Sequence, residues 1–517
     1  MRKCWPLLPV AATLLAGAAA VAPARAASQH PYRLVDPGTF GGPQSFLNLP
    51  AVPLTPDGAL LGSADTATRD VDYPKCNPFM VGFPDRYLVH AFAWHGGRLR
   101  DLGALPGNNS SAVFEVNGSG VGAGMSETAI TDPHTGWPAD HAVMFKGGKV
   151  TDLGTLPGGY ESQANDINDH GQVSGFASNG IHDKYSFFHV FGGPGPCGPS
   201  GWGTQARSFV WRNGVMRDIG TLGGPDAIST TQNATGQITG QSWTSSTPNP
   251  ATGIPTLDPF LWANGHMRDL GTLGGTIGFA NWLNNRGEVV GVSDLAGDQT
   301  AHPFLWANGQ MRDLGTLGGD YGFANWVSDQ GVVVGGAQAA DQNFHGFLWR
   351  NGKMHDLPPV AGAPWAFASS VDDHGQVVGI EANAHGKELF AMLWSGGHGY
   401  NLNTLIAPSK LHLVTADYIN DRGEIVGHGV LPNGHQRAFL LIRNPSVPLP
   451  PPAASRPARD LPAARLPHPG PACGTVQWKP LVVPTGRCAP WFPHGNGLLS
   501  SWVAQTVRAT DKVGLTG

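Results

Sequence analysis

Charge is scarce in this sequence. Only 13% of its 517 residues are Asp, Glu, Lys or Arg, about half the ordinary globular share. With 32 basic and 37 acidic residues the net charge is −5, so the basic surface of a nucleic-acid binder is missing. No run of like charge forms an acidic or basic tail. Cysteine is rarer still, with 5 in all, at spacings that match no zinc module. After the N-terminal segment no stretch reaches about 18 uninterrupted apolar residues, so no integral membrane segment is expected there. What the chain has instead is 73 Gly, 44 Pro and 16 Trp. The glycines follow no Gly-X-Y period, which excludes collagen, and the aromatic content argues against a disordered chain.

The N-terminus reads as a secretory signal peptide over residues 1–26. Arg2 and Lys3 are basic, Leu7 to Val21 is apolar, and Ala24-Arg25-Ala26 suits cleavage. The expected location is therefore secreted, extracellular or periplasmic. Cys4 falls inside the leader. Cys473 and Cys488, close in sequence, are the expected disulfide, and Cys76 and Cys197 could form a second if their loops meet. Residues 443–472 are rich in Pro and read as an extended linker. Residues 473–517 form a tail whose structure the sequence leaves open.

Internal repeats dominate residues 27–442. Phe304-Leu305-Trp306-Ala307-Asn308-Gly309 runs into Met311-Arg312-Asp313-Leu314-Gly315-Thr316-Leu317-Gly318-Gly319, and Phe260 to Gly275 repeats it almost letter for letter. The offset of seven from aromatic to acid joins Trp94 to Asp101, Trp211 to Asp218, Trp262 to Asp269, Trp306 to Asp313 and Trp349 to Asp356. Phe145 and Asp152 keep it, and Trp394 has Asn401 there. A second signature is a polar turn followed by Gly-x-x-x-Gly, as in Ile167 to Gly175 and Ile419 to Gly427. It occurs around Gly58, Gly120, Gly171, Gly236, Gly287, Gly331, Gly375 and Gly423.

Each repeat reads as four strands, a to d. Asn-Gly pairs such as Asn264-Gly265 and Asn308-Gly309 mark two-residue hairpins between c and d. Strand c is apolar on both faces, so it should be covered on both. Arg100, Arg217, Arg268 and Arg312 place charge on strand d, as suits an outer edge. Four-stranded units repeating at 43–45 residues in the second half describe propeller blades. A d-strand precedes Asp36 with no c-strand ahead of it, and the last c-strand, ending near Leu441, has no clear d-strand behind it. Joining these ends predicts an all-β propeller of eight four-stranded blades, closed by the N-terminal strand.

His90-Ala91-Phe92-Ala93-Trp94 opens one strand c, and His141, His302 and His345 hold the same place. With the Asp-Leu-Gly-Thr-Leu-Gly-Gly motif, these residues resemble the HAF family of extracellular repeat proteins, and more distantly Kelch-type repeats. The resemblance implies an exported β-propeller and names no ligand.

Long insertions fall between strands b and c of the early repeats, at about 63–89, 125–140, 176–206 and 241–257. They should crowd one side of one face, where binding usually sits. Tyr73, Trp137, Tyr185, Trp202 and Trp243 within them are the candidate ligand contacts, or else mini-cores under the loops. The repeated Asp residues read as structural acceptors for turn amides, because a catalytic pair would break the repeat symmetry. Glu115, Asp166 and Asp183 are acids outside that pattern, and sequence spacing does not bring any two together. No catalytic residue, metal site or cofactor is predicted. The expected function is non-enzymatic binding of an extracellular glycan or protein. A polysaccharide-active hydrolase or lyase and a structural envelope protein are the alternatives.

Overall fold

A computed structural model describes residues 30–451, apart from 49–51, 72–85, 108, 192–202, 251, 358, 360–364 and 383–387. The leader, the tail, Cys76, Cys197 and the Cys473–Cys488 pair therefore lie outside the described residues. The described chain is all-β apart from very short helices.

The strands fall into eight antiparallel sheets in sequence order. Blade 1 comprises Gly41–Phe46, Leu60–Arg69, Tyr87–His95 and Arg98–Gly103. Blade 2 comprises Ser111–Val116, Gly122–Thr131, Pro138–Lys146 and Lys149–Gly154. Blade 3 comprises Ser162–Ile167, Val173–His182, Thr204–Arg212 and Val215–Asp218. Blade 4 comprises Ala227–Gln232, Ile238–Trp243, Leu257–Ala263 and His266–Asp269. Blade 5 comprises Gly274–Leu283, Val289–Leu295, Ala301–Ala307 and Gln310–Asp313. Blade 6 comprises Gly318–Val327, Val333–Ala339, Phe344–Arg350 and Lys353–Leu357. Blade 7 comprises Ala366–Val371, Val377–Ala382, Leu389–Ser395 and His398–Asn401. Blade 8 has a broken inner strand, His412–Leu413 with Tyr418–Ile419, followed by Ile425–Val430 and Gln436–Arg443.

The fourth strand of blade 8 is Tyr32–Val35, which pairs antiparallel with the last strand from Tyr32↔Arg443 to Val35↔Leu440. The chain is thus an eight-bladed propeller whose ring is shut by its N-terminal strand. Contacts from blade 8 to blade 1 complete the circle. The Leu47 N–H donates to His428 Nε2 at 3.0 Å, so the other ring nitrogen, 2.8 Å from Asp417 Oδ2, carries the proton. Arg437 donates to the Pro43 carbonyl.

Local sequence explains the blade. At the c–d turns Asn264 and Asn308 have φ of 53°, followed by Gly265 at 83° and Gly309 at 84°, the paired left-handed residues of a tight hairpin. In strand b a Cβ on Gly291 would lie 1.8 Å from the Phe279 carbonyl oxygen. Only Gly lets the inner hairpin close that tightly. Strand c supplies the core: Phe304, Leu305 and Trp306 are all buried. Strand d is exposed at Arg268 and Arg312. Even so, these guanidinium groups reach the next blade, 5.3 Å from the Trp306 ring and 6.0 Å from the Trp349 ring.

Inner strands carry a register shift, and its extra residue ties blades together. The shift lies at Ala164/Asp166, Ala280/Trp282 and Ala324/Trp326, with counterparts in blades 2, 4 and 7. The skipped Asn165, Asn281 and Asn325 donate their side-chain amides to the carbonyls of Ser229, Ala324 and Ala368, each at 2.8 Å. All three bonds run to the next blade.

Deleting residues 30–35 removes the closing strand. The expected outcome is a lower urea midpoint and a broader transition by circular dichroism; an unchanged transition would show that closure does not stabilise the ring.

Candidate functional site

Hairpin geometry gives the ring two faces: b–c and d–a loops emerge on one, a–b and c–d turns on the other. On the first face the repeated Asp residues fold their own loops, except Asp356, which is followed two places on by Pro358. Asp101, Asp218, Asp269 and Asp313 each accept the N–H of the glycine two residues on at 2.7 Å. A histidine at the start of strand c completes the pair. His90, His302 and His345 place Nδ1 2.9 Å from Asp101, Asp313 and Asp356. Burial works against ionisation of Asp101, but His90 and the Gly103 N–H outweigh it and hold this carboxyl below its ordinary value. The hydrogen bond that His345 donates to Asp356 pushes the imidazole up.

Blade 4 breaks this pattern. Asp258 stands where blades 1, 2, 5 and 6 carry His and where blade 3 carries Arg207, paired with Asp218 at 3.0 Å, and it shares a hydrogen bond with Asp269. Burial, then the Asp269 charge, push Asp258 up to about 7. A carboxyl pair therefore replaces an imidazole–carboxylate pair, and a proton does the work of the missing His.

The insertions build ribbons. Strand b is 10 residues long in blades 1, 2 and 3, and pairing extends to Arg69↔Tyr87, Thr131↔Pro138 and His182↔Thr204. Three two-stranded ribbons thus rise above the b–c face on one side. In blade 3 the insertion adds the helix Phe187–Phe191. The Phe187 N–H donates to Asp226 at 2.5 Å, and its ring lies 6.4 Å from Phe279 of blade 5. Burial pushes Asp226 up to about 8. Beside the blade 2 ribbon, Glu127, Asp132, Asp140 and Glu161 are all buried. Burial raises Asp140 and Glu161 well above the carboxylate range, reinforced at Asp140 by Glu127 and at Glu161 by Asp140.

The sequence-predicted contacts separate on this face. Trp243 is 0% exposed, in a cluster with Ile254, Leu257 and Phe279. Trp137 is 5% exposed. Both rings are packed inside. Tyr185 is half-buried, with Lys184 Nζ 4.7 Å from its ring centroid. Tyr73 and Trp202 lie outside the described residues. The structural tryptophans Trp94, Trp211 and Trp262 are half-buried, and Trp306 and Trp349 are buried.

The ring axis gathers residues that spacing along the chain could not connect. The position after each inner-strand bulge holds Glu115, Asp166, Thr231, Trp282, Trp326 and Ser370 in blades 2 to 7. Tyr418 takes this place in blade 8 and Pro53, next to Val52, in blade 1. They form a continuous set. The Val52 N–H donates to Glu115 at 3.2 Å. Thr231 Oγ1 donates to Asp166 Oδ2 at 2.9 Å. Trp282 stacks on Trp326 at 3.8 Å. Trp326 reaches past the small Ser370 to Tyr418, 5.5 Å away. Blades 2 and 3 thus offer carboxyls, while blades 5, 6 and 8 offer rings. Burial, then the Asp166 charge, raise Glu115 well above its ordinary range. Burial lifts Asp166 to about 6 against the opposing hydrogen bonds from Gln232 and Thr231. Burial, then the Glu115 charge, raise the Tyr418 phenol. Asp183 is elsewhere, in the blade 3 insertion. Among the described residues no group of three or more His, Cys, Asp or Glu is placed to hold a metal ion.

Two outcomes follow. Trp243→Ala should cost about 3–5 kcal/mol of stability by chemical denaturation, the penalty for emptying a packed aromatic site; a loss under about 1 kcal/mol would mean the ring is dispensable to the core. Asp258 is held above the unfolded value of about 3.9, so its contribution is intact below about pH 4. It is lost as pH rises through the folded value of about 7. Asp258→Asn should therefore lose less thermal stability than the wild type between pH 5 and 8. Parallel pH profiles would refute the shared proton.

No protein-family model matches the chain, and no curated protein matches it. Among solved structures it is similar to a Mycobacterium tuberculosis puromycin-hydrolyzing peptidase, at 12% identity over 81% of this chain and 62% of that one, TM-score 0.37. It is similar also to a Pyrococcus horikoshii acylaminoacyl peptidase, at 10% identity over 62% of this chain and 51% of that one, TM-score 0.35. A third is a mutant of AofleA from Arthrobotrys oligospora, at 12% identity over 46% of this chain and 76% of that one, TM-score 0.26. The chain spans less than two thirds of the length of both peptidases. The propeller assignment stands on the strand register, which closes the ring residue by residue.

Proposed function

We propose that this chain is an exported, HAF-type propeller that binds an extracellular glycan or protein through the face carrying the ribbons. One observation carries the reading. Five large apolar side chains are exposed among the described residues, and four of them lie on this face in blades 1 to 3: Val71, Ile130, Tyr160 and Ile181. Val71 is 73% exposed, Ile181 56% and Ile130 49%. Val71, Ile130 and Ile181 lie at or beside the outer ends of the three ribbons, where they add nothing to the core. Apolar groups concentrated on a rigid projecting scaffold suit contact with a partner. Polar–aromatic neighbours flank them. The Arg69 guanidinium lies 4.5 Å from the Tyr87 ring, and His134 packs edge-on to Tyr160 at 6.0 Å. No helix among the described residues is long and apolar enough to cross a membrane.

Replacing Ile130 and Ile181 with Asp should weaken binding at least about tenfold, the loss of one modest contact energy, while leaving the melting temperature unchanged. The measurement is retention of the full chain on a panel of immobilised polysaccharides and bacterial surface proteins. Undiminished retention of the folded variant would refute the reading.

A second reading has its own observation: Glu115 and Asp166 meet at the axis with both carboxyls raised. Acids poised in this way suit hydrolase or lyase chemistry on a polysaccharide. Release of reducing ends or unsaturated products, abolished by Glu115→Gln, is the expected result. No turnover across a broad polysaccharide panel would count against it.

A further inference from the structure

The axial residues occupy the penultimate positions of the inner strands, so the mouth of the ring nearest to them is the one among the a–b turns, opposite the ribbons. Glu115, Trp326 and Tyr418 are half-buried, so solvent reaches both the acidic and the aromatic side of the set. The second residue of each a–b turn surrounds this opening. That position holds Asp169, Asp329, Asp373 and Asp421 in blades 3, 6, 7 and 8, all exposed. They are fixed by the repeat. Gly118 N–H donates to Asp169 at 2.6 Å, Asn285 N–H to Asp329 at 2.9 Å, and Asp373 N–H to Asp421 at 2.9 Å. The charges on Asp421 and Asp373 act on the Tyr418 phenol, which places the rim beside the axial set.

Positive charge is largely spoken for here. Arg286 is paired with Glu288 at 2.6 Å, and Arg422 with Glu424 at 2.5 Å. His170 and His374 stand exposed in the same turns as Asp169 and Asp373. None of the eight axial positions carries Lys, Arg or His. Two carboxyls, a stacked Trp pair and a Tyr therefore converge with no cation of their own.

We propose that the axis, entered from the a–b face, binds an organic cation, with a primary or quaternary ammonium group lying against the Trp326 and Tyr418 rings and beside the Glu115 and Asp166 carboxyls. Aromatic faces attract cations through their quadrupole, most strongly when the pair is shielded from water. Stacking on Trp282 fixes the Trp326 ring in advance, so little ordering cost falls on binding. A cation beside Glu115 and Asp166 opposes the burial that raises them and draws them into their ionised form, which supplies the countercharge, and the rim of Asp residues draws cations toward the opening. The site uses neither the ribbons nor any insertion tip, so it stands or falls independently of the ribbon-face reading, while it shares Glu115 and Asp166 with the second one.

The test is isothermal titration of the full chain at low ionic strength with choline chloride. Dimethylbutanol, the neutral carbon isostere of choline, is the control. Neither probe is a polysaccharide, so binding is read without reference to glycan turnover. Saturable choline binding, at least about tenfold tighter than the isostere, is expected. Trp326→Leu should weaken it by a similar factor. The double variant Asp329→Asn with Asp421→Asn keeps the amide-accepting oxygens on exposed turns, and it too should weaken choline while the circular dichroism spectrum stays unchanged. No saturable choline binding, equal affinity for the isostere, or undiminished affinity in the folded double variant would overturn the proposal.

Discussion

Eight sheets must share one axis, and that constraint organises the rest of the molecule. Each inner strand has to lie beside the inner strands of two neighbours while still pairing with its own strand b. The bulge at positions such as Asn281 and Asn325 meets both demands, since the extra residue turns its amide to the next blade's carbonyl. The following side chain is then aimed at the centre. Strand b must approach closely, which is why Gly291 admits no Cβ. Low charge follows as well, because strand c is covered on both sides and leaves little room for ionised groups.

The repeat unit was legible in the sequence because it is encoded locally. Asn-Gly turns, the Gly-x-x-x-Gly strand and the aromatic-to-acid offset all lie within one blade. So was the closure, since a d-strand without a partner at one end matched a missing d-strand at the other. The His–Asp pairing was half-legible. His90, His302 and His345 recur at a fixed place, but only the folded hairpin brings them to acids 11 residues away.

The axial set was not legible, for a physical reason. Apart from Trp282 and Trp326 its members differ from blade to blade, so repeat comparison discards that column as noise. Glu115, Asp166, Trp326 and Tyr418 acquire a relation only when the ring closes and their inner strands come into register. The signal that could have found them is the residue five places before the a–b turn glycine, read across all repeats. It gives acids in blades 2 and 3 and aromatics in blades 5 and 6. The same blindness affected the insertion aromatics. Residue type left ligand contact and mini-core open for all of them, whereas ladder position separates them: Trp243 pairs with Leu257 at the foot of its hairpin and belongs to the interior.

The closing strand has a mechanical meaning. Tyr32 pairs with Arg443 at the end of the ladder where the chain enters and leaves the ring, and the Asn444 N–H donates to the Pro31 carbonyl at 2.8 Å. The two chain ends thus depart side by side from one antiparallel pair. A pull between them loads the ladder bonds one after another, like a zipper, rather than all together in shear. A load shared between two other blades meets covalent connections and whole packed faces instead. The ring is therefore weakest along a single direction, set by where its first and last strands meet.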